Sequence, residues 1–145
     1  MAARMLFLLS VLCSPLLLFA QIEDEALTRG WPNGRYWEKL DEQGKMFCIY
    51  GVSSGAVLVL DKILDANIGR EVRERIRPIE SVINQRGFRH GDIAEHVTAF
   101  YYDRSNMDIP IAYAYVYAGK KMRGERQRNL DEFTSSLRKR WNASK

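Results

Sequence analysis

The stretch that decides the fold is EQGKMFCIYGVSSGAVLVLDKILDA, Glu42 to Ala66. Between Met46 and Leu60 it holds no charged residue, so a helix here is apolar on every side. At 1.5 Å per residue it runs about 37 Å. A helix apolar all round belongs in the middle of a core. The expectation is therefore an all-α domain, a compact bundle of four to five helices around this long central helix. Asp41 is placed to cap its N-terminus, and Glu42 in the first turn suits the helix dipole. Asn67 and Gly69 supply the stop.

The same stretch contains Gly51-Val52-Ser53-Ser54-Gly55, which fits the G-x-S-x-G pattern of a serine hydrolase. A nucleophile elbow needs a strand before the serine and a helix after it, at the top of an α/β sheet. MFCIY is short enough to be such a strand, and Ser53, Asp61 or Asp65, and His90 or His96 occur in a usable order. The chain offers no βαβ alternation to build the rest of the sheet. Gly51 and Gly55 instead lie one helical turn apart, where small residues let another backbone approach closely. Each glycine costs up to about 1 kcal/mol against alanine inside a helix, so two invite a packing reason. No catalytic residue is assigned. A small hydrolase using Ser53 with His90 or His96 stands as the alternative.

Working outward toward the N-terminus, MAARMLFLLSVLCSPLLLFAQ places Arg4 before an uncharged run from Met5 to Ala20. This is the grammar of a signal peptide over residues 1–20. The run falls short of the roughly 20 residues of a spanning helix, and Pro15 interrupts it. Export to the periplasm or the medium is expected, with no membrane span after cleavage. Residues 21–32 read as a flexible leader, and residues 33–145 as a single helical domain. After cleavage only Cys48 remains. It has no partner for an internal disulfide and reads as a small buried hydrophobe.

Asn33 looks like an N-cap for a short helix through Tyr36, Trp37 and Leu40. Beyond the long helix, residues 70–89 mix charge with Val72, Ile76, Ile79, Val82 and Ile83, and Pro78 divides them into two short helical turns. Ile93, Val97, Phe100 and Tyr101 mark an amphipathic helix from Gly91 to Tyr102. Pro110 opens the next element. There Tyr113, Tyr115 and Tyr117 alternate as in a strand, but their partners are Ala114, Val116 and Ala118, with no polar face. Alanine favours helix. Leu130, Phe133, Leu137 and Trp141 form the stripe of a final helix.

HGDIAEH, His90 to His96, resembles the end of a zinc pattern, but Asp92 stands in the first histidine position. No later histidine completes a site. No metal and no cofactor are expected. The net charge of +4 is too small to indicate nucleic acid. Arg126, Arg128, Arg138, Lys139 and Arg140 read as a solvated helix face. Tyrosine buries area while keeping a polar tip, so Tyr102, Tyr113 and Tyr117 are the candidate anchors of a protein interface.

NGRYWEKLDEQGKMFCIYGVSSGAVLVL, followed by GDIAEHVTAFYYDRSNMDIPIAYAYVYA, resembles small exported bacterial helical proteins. The pattern is distantly similar to the Rap/Tai family of type VI secretion immunity proteins. The features in common are Cys48, Tyr50 and Gly55 on one helix, a later helix near Gly91-Asp92-Ile93, and an Ala-rich helix after Pro110. The resemblance implies a periplasmic domain that binds a peptidoglycan-cleaving amidase. The single Cys48 departs from that family's use of several cysteines, and no toxin-contacting residue carries over. The function expected is non-catalytic binding of a protein partner, such as a toxin or envelope enzyme. A self-associating structural envelope protein is a further alternative.

Overall fold

A computed structural model describes residues 24–65, 69–71, 73–74, 80 and 87–142. The signal-peptide reading and most of residues 70–89 lie outside the described residues. Among those described, five α-helices dominate: α1 (Gly34–Lys39), α2 (Glu42–Asp65), α3 (His90–Tyr101), α4 (Ile111–Met122) and α5 (Gln127–Trp141). The domain is compact and predominantly all-α.

The chain is already folded before α1. A 3-10 turn, Asp24–Ala26, leads into a small antiparallel hairpin of β1 (Leu27–Thr28) and β2 (Trp31–Pro32). Its two loop residues, Arg29 and Gly30, both have positive φ, as the tight primed turns of hairpins require. The loose leader expected here is thus corrected for residues 24–32. The side chain of Asn33 explains the order. Its Oδ1 accepts from the amides of Arg35 and Tyr36, capping α1. Its Nδ2 donates to the Glu25 carbonyl at 3.0 Å and to Thr28 Oγ1 at 2.9 Å. One fully buried amide therefore holds the turn, the hairpin and the helix together. Asn33→Ala is expected to lower unfolding free energy by about 2 kcal/mol, from the lost cap and the orphaned partners. Chemical denaturation would measure it.

The Asp41 carboxylate accepts from the Gly44 amide at 2.7 Å and starts α2 as expected. The centre of the core, however, is the pair α3 and α4. Ile93, Val97, Phe100 and Tyr101 meet Ile111, Ala114, Tyr115 and Ala118, all buried. The helix reading of α4 therefore holds over the strand alternative. Trp37 from α1 enters this core, and its indole N–H donates to Thr98 Oγ1 at 3.1 Å. On the far side α5 covers α4 with Leu137 and Trp141.

The long helix is where expectation and structure part. It lies on α3 and, less extensively, on α4. Ile49 is fully buried in the core, with Cys48 and Val52 packed at its edge. The opposite side faces solvent: Phe47 is 66% exposed, Tyr50 55%, Leu58 62% and Val59 59%. The expectation of burial on all sides is corrected to burial on one side. The cause is geometric. A helix can be covered all round only if neighbours surround it, and α3 and α4 each bring one apolar stripe from the same direction.

Candidate functional site

The outer face of α2 carries four of the six exposed large hydrophobic side chains among the described residues: Phe47, Tyr50, Leu58 and Val59. Phe47, Gly51, Ser54 and Leu58 follow one another at spacings of four, three and four, so they form a single stripe along the helix. Tyr50 and Gly55 flank it. All six are exposed. The expected close approach of a neighbouring backbone at Gly51 and Gly55 is not made within the chain. Among the described residues, no atom lies within 4 Å of where a Cβ would stand at either glycine. The Tyr50 ring is nevertheless held in place, stacked on His90 with centroids 4.2 Å apart and planes 11° from parallel.

By length and composition alone, Glu42–Ile63 is long and apolar enough to cross a membrane. Within the domain it packs on α3 and α4 through Ile49, with Cys48 and Val52 at the edge, and 11% of its apolar stretch is buried.

Ser53 sits in the middle of α2, half-buried in an unbroken helix, with no strand ahead of it. The elbow geometry that would activate it is therefore absent from its surroundings. His90 and His96 lie on α3, with the His90 ring against Tyr50. Among the described residues no three metal-ligating side chains cluster. Cys48 is a free, half-buried thiol, and burial pushes its pKa up.

The three candidate tyrosines are placed differently from one another. Tyr102, just past α3, is 78% exposed. Tyr113 is half-buried, 5.5 Å from the Trp141 ring and 5.8 Å from the Arg140 guanidinium. Tyr117 is half-buried, 4.8 Å from Phe100. It borders a polar cavity of about 340 Å³ with Asp103, Asn106, Asp131 and Arg138. Burial and the Asp131 carboxylate raise its phenol pKa, keeping the hydroxyl protonated.

The floor of that cavity is a structural knot that the sequence reading missed. Asn106 is buried, donates to the Phe100 carbonyl at 2.7 Å and accepts from Arg138 Nε at 2.8 Å. Arg138 also pairs with Asp103. It is thus committed to the fold, whereas Lys139 and Arg140 beside it are exposed as expected. The Ser105 hydroxyl and amide hydrogen-bond to Asp103 and, with help from Arg138, hold its carboxyl below its usual range. A depressed pKa means stability that is present above the unfolded value of about 3.9 and lost as pH falls through the lower folded value. Asp103→Asn is expected to destabilise the protein at neutral pH and to flatten this acid-side loss. Denaturant midpoints measured between pH 2 and 7 would show the two curves converging at the acid end.

A second cavity, of about 360 Å³, opens beside the hairpin, where Arg29 lies 5.3 Å over the Trp141 ring. Across it Arg35 and Asp108 pair at 2.5 Å, so those two charges compensate each other. Comparison with protein-family models, with curated proteins and with solved structures gives no match to this chain.

Proposed function

We propose that this chain is an exported, non-catalytic protein-binding domain whose contact surface is the solvent face of α2. The observation that carries the reading is the exposure of Phe47, Tyr50, Leu58 and Val59 along one uncharged helix face. Contiguous apolar patches of this kind, rimmed by polar residues, mark interaction sites on proteins that are otherwise water-soluble. Tyr50, stacked on His90, is a rigid aromatic of the sort that anchors interfaces. Inhibition of a toxin or an envelope enzyme is one concrete version, in keeping with the resemblance to immunity proteins. Tyr102 offers a second exposed aromatic for such a partner.

The test is capture from the envelope fraction by the tagged chain, compared with its Leu58→Asp variant. The reading expects a protein, this chain's own untagged copy included, held at least tenfold more by the parent chain. Equal recovery by both, or recovery of nothing above a bead control, would refute it.

A further inference from the structure

Apart from α2, the geometry points to a separate binding site, for a primary alkylammonium group, in the polar cavity between α3, α4 and α5. At about 340 Å³ the cavity falls in the size range of small-molecule sites. Asp131, Thr134 and Arg138 follow one another at spacings of three and four, so α5 turns one face into it. Phe100, from α3, and Tyr117, from α4, line it with two tilted rings, their centroids 4.8 Å apart. The charges on the lining do not balance. Arg138 is spent on the Asp103 carboxylate and on the Asn106 amide oxygen. Asp103 is occupied on both oxygens, by Ser105 on one and by Arg138 on the other. Asp131 receives only the Gln127 amide, which donates to its Oδ1 at 2.8 Å. The bases Arg128 and Lys120 are taken by Glu132 and Glu125. Among the described residues no cation pairs with Asp131, so the lining carries one net negative charge.

The lining also offers acceptors rather than donors. Asp131 keeps its second oxygen uncommitted. The Thr134 hydroxyl has given its proton to the Leu130 carbonyl at 2.8 Å and presents lone pairs. The Tyr117 phenol stays protonated beside Asp131, and its oxygen can accept as well. An alkylammonium is the complement of this set: one positive charge, three donors and no acceptor. Its methylene next to the charge can lie against the Tyr117 ring, a favourable place for a cation. A carboxylate or phosphate meets the Asp131 charge and an arginine already engaged. A calcium ion takes six to eight oxygens, and Asp131 is the one carboxylate of the lining not already neutralised. With a single ion pair and a small ligand, the affinity is on the order of millimolar. The ammonium can belong to a free amine or to a lysine side chain of a protein, and the cavity reads the same group in both.

Amide chemical-shift titration of the full chain, as recovered from expressing cells, tests the site at pH 7. The probes are pentylammonium chloride and doubly blocked lysine, each up to about 50 mM. Saturable shifts at Tyr117, Asp131 and Thr134 are expected, weakening as salt rises. Asp131→Asn, an isosteric change at an exposed position, should weaken binding at least tenfold and leave the denaturation midpoint in place. Tyr117→Phe should weaken it about threefold. Pentan-1-ol, which has the same chain and no charge, should bind at least tenfold more weakly than pentylammonium. Saturation by blocked lysine as well as by the amine assigns the site to a protein's lysine; saturation by the amine alone assigns it to a small amine. No saturable shift at these residues with either probe would overturn the inference. So would equal binding by Asp131→Asn, equal binding of pentan-1-ol, or displacement of the amine by equimolar calcium chloride. None of these outcomes bears on the reading of α2, which concerns other residues.

Discussion

Trp37→Ala is expected to lower the unfolding free energy by about 4 kcal/mol, the largest single loss in the domain. Trp37 is 1% exposed and belongs to the main core with Val97, Phe100 and Tyr101. Truncation removes a large apolar area and leaves a cavity that α1 is too short to fill by moving. It also removes the indole donor to Thr98. That second loss is small, because the Thr98 hydroxyl still donates to the Ala94 carbonyl at 2.8 Å. Trp37→Phe should therefore cost markedly less than Trp37→Ala. Since a domain of this size is stable by about 5–15 kcal/mol, the alanine variant should unfold at a much lower urea concentration. A loss below about 1 kcal/mol would show that α1 is not part of the core.

The next largest effect is expected from a single methyl group. Gly34 is the first residue of α1, and a Cβ there would stand 2.5 Å and 2.7 Å from two ring carbons of Tyr101 and 3.0 Å from Met107 Sδ. Tyr101 cannot turn aside. It is 2% exposed, and its hydroxyl donates to the Ile109 carbonyl at 2.8 Å. The backbone is pinned as well, because the Gly34 amide donates to the Met107 carbonyl at 3.0 Å. Gly34→Ala should cost about 3 kcal/mol, the upper end for overpacking a fixed core. Alanine's better helix propensity, up to about 1 kcal/mol, works in the other direction and is too small to cancel it. Gly51→Ala provides the contrast. It meets open space, so propensity alone should stabilise the monomer slightly. Paired thermal melts of the two variants would separate glycine as a space requirement from glycine as a mere helix weakness.

How much of this was legible beforehand differs from element to element. The caps at Asn33 and Asp41, the extent of α2 and the stripes of α3 and α5 follow from local chemistry and the 3.6 period. Alanine settled α4 against its misleading tyrosine alternation. The hairpin was hidden because two-residue strands are too short to show a period, and Arg29-Gly30 lacks the usual Asn-Gly or Asp-Gly turn signal. The burial of α2 was unreadable for a different reason. When both sides of a helix are apolar, periodicity no longer says which side faces the core. Only the placement of α3 and α4 decides that. The solvent stripe of Phe47, Gly51, Ser54 and Leu58 was present in the sequence but masked by Ile49, Val52, Ala56 and Leu60 on the other side. Tyr102, Tyr113 and Tyr117 were chosen by residue type, which cannot foresee that Trp141 and Phe100 would half-cover two of them. The link from Arg138 to Asn106 joins residues 32 positions apart and has no local signal.

The most direct measurement of what α2 does is photo-crosslinking in intact expressing cells. A photoreactive phenylalanine analogue at Leu58, on the solvent face of α2, would be compared with the same analogue at Ser135, on the exposed side of α5. If the face is a protein-binding surface, position 58 gives discrete protein adducts of defined mass and position 135 gives none. No adduct at position 58, or the same adducts at both positions, would contradict it.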